Sequence, residues 1–275
     1  MKEMQLRDIQ LIGLDIMKDI HDFCVKNDVK YSLAYGSLIG AIRHKGFIPW
    51  DDDIDIWMPR PDFERFCKSY QSSKDYKILS VYSDDNYCYY TKVFENARTM
   101  VVPELLQQKG EVGVWIDVYP IDGISDEIDD FLLAYSTIRK TTRRINSIRR
   151  SYTCLQRGQG KKITESIKLQ IKLLLYGQLS SLRALFNRQC SQYKFGETKR
   201  CSSLACVDAY KKNKPEIFDT TDFCHYELVD FETTQFYVSA KYDHVLKTIY
   251  GNYMTMPSKE QQISHRCSGH GFYWK

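Results

Sequence analysis

Apolar residues recur at steps of three and four near the start of the chain. Ile9, Ile12, Ile16, Ile20 and Phe23 share one face, which predicts an opening helix stopped at Asn27-Asp28. The short aromatic run from Tyr31 to Tyr35 predicts a strand. Gly36-Ser37 then predicts a tight turn, and Leu38 to His44 a short helix ended by Gly46. In Asp53-Ile54-Asp55-Ile56-Trp57 polar and apolar positions alternate, the period of a half-buried strand; Pro59 and Pro61 end it. Asp62 to Tyr70 reads as a helix with Phe63, Phe66 and Cys67 inward. Lys77 to Tyr82, Tyr87 to Phe94 and Val112 to Tyr119 predict further strands.

From Glu127 to about Lys199 the period is helical. Ile167, Ile171, Leu174 and Leu175 form one stripe, Leu182, Leu185 and Phe186 another, and a break falls at Gly158 to Lys161. Asn213-Lys214-Pro215 reads as a turn into the last segment. There Tyr242, Val245, Leu246, Ile249 and Tyr250 form a final stripe closed by Gly251. Strands and helices mix from the start, so the core is of the α/β or α+β class. Three segments follow: a core over 1–125, a helical and basic insertion over 126–214, and a C-terminal segment over 215–275 that completes the core.

Composition narrows the function classes. With 43% hydrophobic and 27% charged residues among 275, the chain is ordinary globular protein. No run reaches the roughly 18 apolar residues that span a bilayer, and the first residues are too charged for a signal peptide. Nine cysteines without a CxxC pair fit reduced thiols and a cytoplasmic setting. The net charge of +4 is modest but uneven: Arg139 to Lys162 holds nine Lys/Arg and no acid. That stretch reads as a solvated face or as a contact with anionic lipid at the inner side of a membrane. It carries no nucleic-acid motif. His265, Cys267 and His270 match no zinc spacing.

Against this background Asp51, Asp52, Asp53 and Asp55 stand out, four acids in five positions beside Trp50, Ile54 and Ile56. Residues two apart on a strand share a face, so Asp53 and Asp55 offer two carboxylates while Ile54 and Ile56 enter the core. Hard divalent cations take such oxygen ligands together with substrate phosphates, and would relieve the repulsion. The calcium-loop template fails, because its sixth position is Ile56 and its twelfth Asp62. Gly36 and Ser37, at a strand-to-helix junction, expose backbone N–H groups suited to phosphate, and Arg43, His44 and Lys45 follow. Asp117, isolated in the apolar run Val114 to Tyr119, is the candidate third acid. Singly, each feature is also compatible with a surface loop, a turn or a strand end.

The stretch from Tyr31 through Gly36-Ser37 to Asp53-Ile54-Asp55-Ile56 closely resembles the signature of the LicD family of phosphotransferases, relatives of the fukutin-type phosphoribitol transferases. Lys92 to Thr99, Trp115 to Gly123 and Tyr250 to Pro257, with His265 behind, extend the resemblance from the first helix nearly to the C-terminus. It is weakest from Glu127 to Lys214. It implies a nucleotidyltransferase-like α+β fold: a small mixed sheet with the Gly-Ser turn and the Asp-x-Asp strand, elaborated by helices. It implies transfer of a phosphoalcohol, commonly phosphocholine, from a CDP-activated donor such as CDP-choline to a glycan hydroxyl, releasing CMP. The acceptor would be teichoic acid, lipopolysaccharide, capsule or a lipid-linked precursor. Matched by position, Asp53, Asp55 and Asp117 hold Mg²⁺ or Mn²⁺, with Asp117 also placed to act as general base. Lys92 and Arg98 lie near the donor phosphates, which Arg43 and Lys45 neutralise. Asp51 and Asp52 support the site from behind. Two alternatives stay open: a nucleotidyltransferase that releases pyrophosphate, and a non-catalytic glycan-binding module.

Overall fold

The computed structural model describes residues 1–83, 88–102, 112–156, 167, 179–206, 215–262 and 271–275, with the backbone alone for 150–156. The expectations for Ile171, Leu174 and Leu175, for Gly158 to Lys161, for Asn213 and Lys214, and for His265, Cys267 and His270 lie outside the described residues.

The opening helix, α1 (Leu6–Lys26), follows a two-residue strand, β1 (Lys2–Glu3). Its buried stripe includes Ile9, Ile12, Ile16 and Ile20, and it ends at Asn27, after which Asp28 turns left-handed. The main sheet has seven strands. Five form the row β2 (Ser32–Leu33), β3 (Asp55–Pro59), β7 (Trp115–Ile124), β5 (Thr91–Phe94) and β4 (Lys77–Leu79). Two more, β8 (Arg200–Ser202) and β9 (Phe218–Asp219), extend the far half of β7. Only the β3–β7 pair among the named strands is parallel. One face of the sheet, with Ile54, Ile56, Ile116 and Val118, is buried against α1 and α3 (Arg60–Ser69), where Phe63 and Phe66 are fully enclosed.

Two smaller sheets flank this one. β12 (Gly271–Trp274) lies between β1 and β6 (Thr99–Val102), and β10 (Tyr226–Phe231) forms a hairpin with β11 (Thr234–Ser239). The helices α4 (Ile128–Gln156) and α5 (Leu179–Cys190) build a second core from Phe131, Ile138, Ile145, Ile148 and Phe186. A buried fork ties them to the sheet: Arg60 donates to both oxygens of Asp122, at 2.6 and 2.9 Å, and to Asn187 of α5 at 2.9 Å. The last helix, α6 (Tyr242–Tyr250), ends at Gly251, whose φ is +67°. Among the described residues no helix is long and apolar enough to cross a membrane, and the described cysteines are free thiols.

The architecture is mixed α and β, as the patterning predicts, but several bounds move. The Tyr31–Tyr35 strand shrinks to Ser32–Leu33, and the Asp-x-Asp strand begins at Asp55 rather than Asp53. The predicted strands at 77, 87 and 112 become Lys77–Leu79, Thr91–Phe94 and Trp115–Ile124. The helical stretch ends at Cys190, not Lys199, because the chain there turns to build β8. Gly36-Ser37 is not a separate turn. The left-handed residue is Tyr35, at φ +46°, and the helix α2 (Tyr35–Ile39) already includes both residues. A π-helical turn over Gly40–His44 continues it, and left-handed Lys45 ends it, one residue before Gly46.

Asp19 of α1 is buried and locks the helix to the segment after α3. It accepts hydrogen bonds from Tyr70 Oη at 2.7 Å and from Ser73 N at 3.0 Å. Burial pushes this carboxyl up, but the bonds from Ser73, Tyr70 and Ser72 outweigh it and hold the group below the ordinary aspartate value. A depressed value means that the stabilisation is present at neutral pH and is lost as pH falls through the folded-state value. Asp19→Asn should therefore cost about 1–2 kcal/mol at pH 7, the gap between charged and neutral hydrogen bonds. In urea unfolding that cost should shrink as pH drops below about 3.9, the unfolded value. A constant difference between pH 7 and the acid range would refute it.

Candidate active site

The parallel pairing of β3 with β7 sets Asp55 opposite Asp117, and the antiparallel pairing of β7 with β5 sets Asp117 opposite Lys92. Three charged residues thus form one row across three adjacent strands. Their side chains rise from the face of the sheet opposite the α1 packing, because Ile54, Ile56, Ile116 and Val118 take the other one. The alternation holds through the preceding loop. Asp51, Asp53 and Asp55 are half-exposed, whereas Asp52, Ile54 and Ile56 are buried.

The charges in this row are under tension. Burial pushes the Asp55 carboxyl well up, and Asp53, Asp117 and Asp51 push it further; Lys92 opposes them. Asp117 is also pushed up by burial, with Lys92 pulling it back. Lys92 is almost wholly enclosed, at 1% exposure, and donates from Nζ to Asp117 Oδ1. Its ammonium lies 5.0 Å from the ring centre of Tyr90 and 4.4 Å from that of Trp115. The other oxygen of Asp117 accepts from Tyr119 Oη at 3.3 Å.

The β2–α2 junction grips this row from one side. Ser37 Oγ accepts the Asp55 N–H at 2.9 Å, and Ala34 N–H donates to the Asp55 carbonyl at 2.9 Å. A Cβ on Gly36 would lie 2.5 Å from Asp51 Oδ2, so the glycine lets a carboxylate rest against the backbone. Gly40 is needed as well, since its Cβ would meet the Gly46 carbonyl at 2.4 Å. Gln10 Nε2 holds the Asp51 carbonyl at 2.9 Å.

The basic candidates scatter. Arg43 donates to the carbonyls of Tyr253, at 2.7 Å, and Thr255, at 3.3 Å. Lys45 is exposed at the helix end, where its carbonyl accepts from Glu232 N–H. Arg98 is exposed and lies 3.6 Å from Glu95. The basic stretch on α4 divides: Lys140, Arg143 and Arg144 are exposed, but Arg139 and Arg149 are half-buried. Arg149 is held up by Cys88, Tyr90, Tyr89 and Asp117 against the cost of its burial, so it faces the site rather than bulk water. Sequence reasoning missed Arg149, Tyr119 and Tyr90. The two-residue step from Asp117 to Tyr119, and from Lys92 back to Tyr90, was the signal available.

The donor set fits a hard divalent ion: carboxylate oxygens, two of them on neighbouring strands and destabilised by mutual repulsion. Among the described residues, one group brings three ligand atoms within 4.8 Å of one another, and it lies elsewhere: Asp219, Asp222 and His244. There Asp219 and Asp222 form a capping box, Asp222 Oδ2 lies 2.9 Å from His244 Nδ1, and Lys241 Nζ stands 3.9 Å from Asp222 Oδ1. Asp222 Oδ1 is buried and accepts no hydrogen bond among the described residues. Asp53, Asp55 and Asp117 are not grouped so tightly, and Asp117 Oδ1 is bonded to Lys92.

A carboxyl with a raised folded-state value costs the fold stability as pH rises past the unfolded value, so that cost is present at neutral pH. Asp55→Asn should then raise the melting temperature in chelator at pH 7 by roughly 2–4 °C, the shift that about 1 kcal/mol gives a protein of this size. A lower melting temperature would mean that the Asp55 charge supports the fold.

Comparison with known proteins places this geometry. Residues 28–142, which span β2, α2, β3, β5 and β7, match the family described as LicD/FKTN/FKRP, nucleotidyltransferase domain. The chain is 30% identical over 272 residues to the lipopolysaccharide cholinephosphotransferase LicD of Haemophilus influenzae, covering 96% of this chain and 97% of that protein. Two uncharacterized proteins, of Rickettsia prowazekii and Rickettsia typhi, are each 49% identical over 47 residues, 17% of this chain. With its carboxylate row inside the matched region and its similarity running nearly end to end, the chain belongs to the LicD family of phosphotransferases.

Proposed function

We propose that this protein transfers phosphocholine from a CDP-activated donor to a hydroxyl of a cell-surface glycan or its lipid-linked precursor, and releases CMP. The observation that carries the reading is the register of Asp55 with Asp117 beside the Ser37-bound backbone of β3. The choline follows the activity for which the Haemophilus relative is named, that of a lipopolysaccharide cholinephosphotransferase. The nucleotidyltransferase-like character of the core rests on the matched family description and on the carboxylate-bearing mixed sheet.

Asp53, Asp55 and Asp117 would hold Mg²⁺ or Mn²⁺, and the ion supplies charge neutralisation for the phosphoryl oxygens when bound. The rest is done by the chain's own groups. Lys92 fixes Asp117 and prevents the two carboxyls from repelling freely. Asp117, with its raised proton affinity, accepts the proton of the acceptor hydroxyl. The acceptor oxygen bonds to the phosphorus that bears choline. The bond from that phosphorus to the bridging oxygen breaks, and CMP leaves with the electron pair. Positioning and charge do most of the work in such transfers. Arg149 is suited to the diphosphate oxygens of the bound donor, as are Gly36 and Ser37 through their backbone N–H groups. Arg43, Lys45 and Arg98 stand as further candidates for the donor phosphates, although Arg43 already serves the carbonyls of Tyr253 and Thr255. The exposed Lys140, Arg143 and Arg144 are suited to the anionic surroundings of a lipid-linked acceptor, which would place the protein at the inner face of a membrane.

Purified protein with Mg²⁺, an acceptor glycolipid and CDP-choline should release CMP, and Asp55→Asn or Asp117→Asn should reduce the rate by at least 10²-fold. Release of pyrophosphate from CTP, without CMP from CDP-choline, would favour the nucleotidyltransferase alternative. Chelation should abolish turnover, and Mg²⁺ or Mn²⁺ should restore it. Full turnover in chelator would remove the metal from the mechanism.

A further inference from the structure

One buried oxygen in the C-terminal segment lacks a hydrogen bond. Asp222 belongs to the one-turn helix Thr220–Phe223, which follows β9, and its side chain is only 1% exposed. Oδ2 accepts from Asp219 N–H at 3.1 Å and lies 2.9 Å from Nδ1 of His244 on α6. Oδ1 accepts nothing among the described residues. Lys241 does not serve it: its Nζ stands 3.9 Å away and donates to Thr221 Oγ1 at 2.8 Å. A buried carboxylate oxygen without a donor is costly, and such an atom calls for an ion or a water.

Two further ligand groups stand beside it. Asp219, at the cap of the same one-turn helix, and His244, in the first turn of α6, each bring one atom, and with Asp222 the three atoms lie within 4.8 Å of one another. Two donors on one tetrahedral Zn²⁺, each roughly 2.0–2.2 Å from the metal, are roughly 3.3–3.6 Å apart. The 2.9 Å between Asp222 and His244 is already near that spacing. Asp219 and His244 are exposed, so their side chains can close the rest. The half-exposed ammonium of Lys241 can turn to water as an ion enters. The donor set selects the metal. An imidazole nitrogen with carboxylate oxygens suits Zn²⁺ and its first-row neighbours, whereas Mg²⁺ takes oxygen in an octahedron and keeps several waters. Asp53, Asp55 and Asp117 offer oxygen alone, so the two places differ in the cation they favour.

We propose that Asp219, Asp222 and His244 form a structural site for Zn²⁺ or a similar transition metal, with a fourth position for water. The ion joins the one-turn helix after β9 to the start of α6. That helix leads through Gly251 to the Tyr253 and Thr255 carbonyls, which Arg43 holds, so the metal braces the segment that backs the β2–α2 junction. Nothing in this site depends on the transfer reaction.

The test uses the full-length protein with Asp55→Asn and Asp117→Asn, which weaken the carboxylate row as a competitor. This parent is stripped of metal and titrated with Zn²⁺ against a chromophoric chelator, in excess Mg²⁺. One equivalent should bind, and at a hundredfold excess over Kd it should raise the melting temperature by roughly 5 °C. His244→Ala and Asp219→Asn, each added to the parent, should weaken Zn²⁺ at least tenfold and lose the thermal shift. Both changes spare the fold, because His244 is exposed and asparagine caps a helix as well as aspartate; equal melting temperatures without metal check this. The proposal is overturned if either variant binds Zn²⁺ as tightly as the parent, which would put the metal on other side chains. It is also overturned if the parent binds no Zn²⁺ or yields it to Mg²⁺, which would leave a water on Asp222 Oδ1.

Discussion

Everything at the candidate site follows from two carboxylates forced into register. Asp55 and Asp117, the first half-exposed and the second buried, are held side by side by the parallel β3–β7 ladder, where burial and like charge raise both carboxyls. Left alone, such a pair would protonate or push the strands apart. The buried ammonium of Lys92 opposes that repulsion from the next strand, and it is itself steadied by Tyr90 and Trp115. Asp55 still carries the repulsion of Asp53, Asp117 and Asp51, and a divalent ion would relieve it.

The remainder of the fold keeps that conflict from relaxing. The opposite face of the sheet is packed with Ile54, Ile56, Ile116 and Val118, so a slip of one residue would bury the acids and expose the isoleucines. Ser37 secures the first residue of β3 through its backbone, and the Arg60–Asp122 fork fixes the far half of β7. The helices α4 and α5 are anchored by the same fork through Asn187, which is how Arg149 of α4 comes to face a site built on strands.

Much of this was readable in the sequence, and the misses have physical causes. The alternation Asp53 to Trp57 announces the β3 face because a period of two has one meaning on a strand. The lone acid at 117 stands out because an unpaired charge in an apolar run demands a reason. The partner that supplies it, Lys92, is 25 residues away, and no local pattern ties the two. Tyr35 was read as the end of a strand because tyrosine has no intrinsic preference for a left-handed backbone; only tertiary packing puts it there. The late strands were missed because β8, β9 and β12 have two to four residues each, too few for periodicity. Arg149 was hidden among neighbours of the same charge, and only the helix phase distinguishes it from Arg143 and Arg144.

Tyr35 sits where a glycine would rest more comfortably. A glycine or asparagine there would relax the backbone, but it would also empty the space that the Tyr35 ring fills beside Trp57 and Tyr119. The turn into α2 is therefore held by packing against the preference of its own backbone, and loosening it would free the junction that seats Ser37 on the first residue of β3.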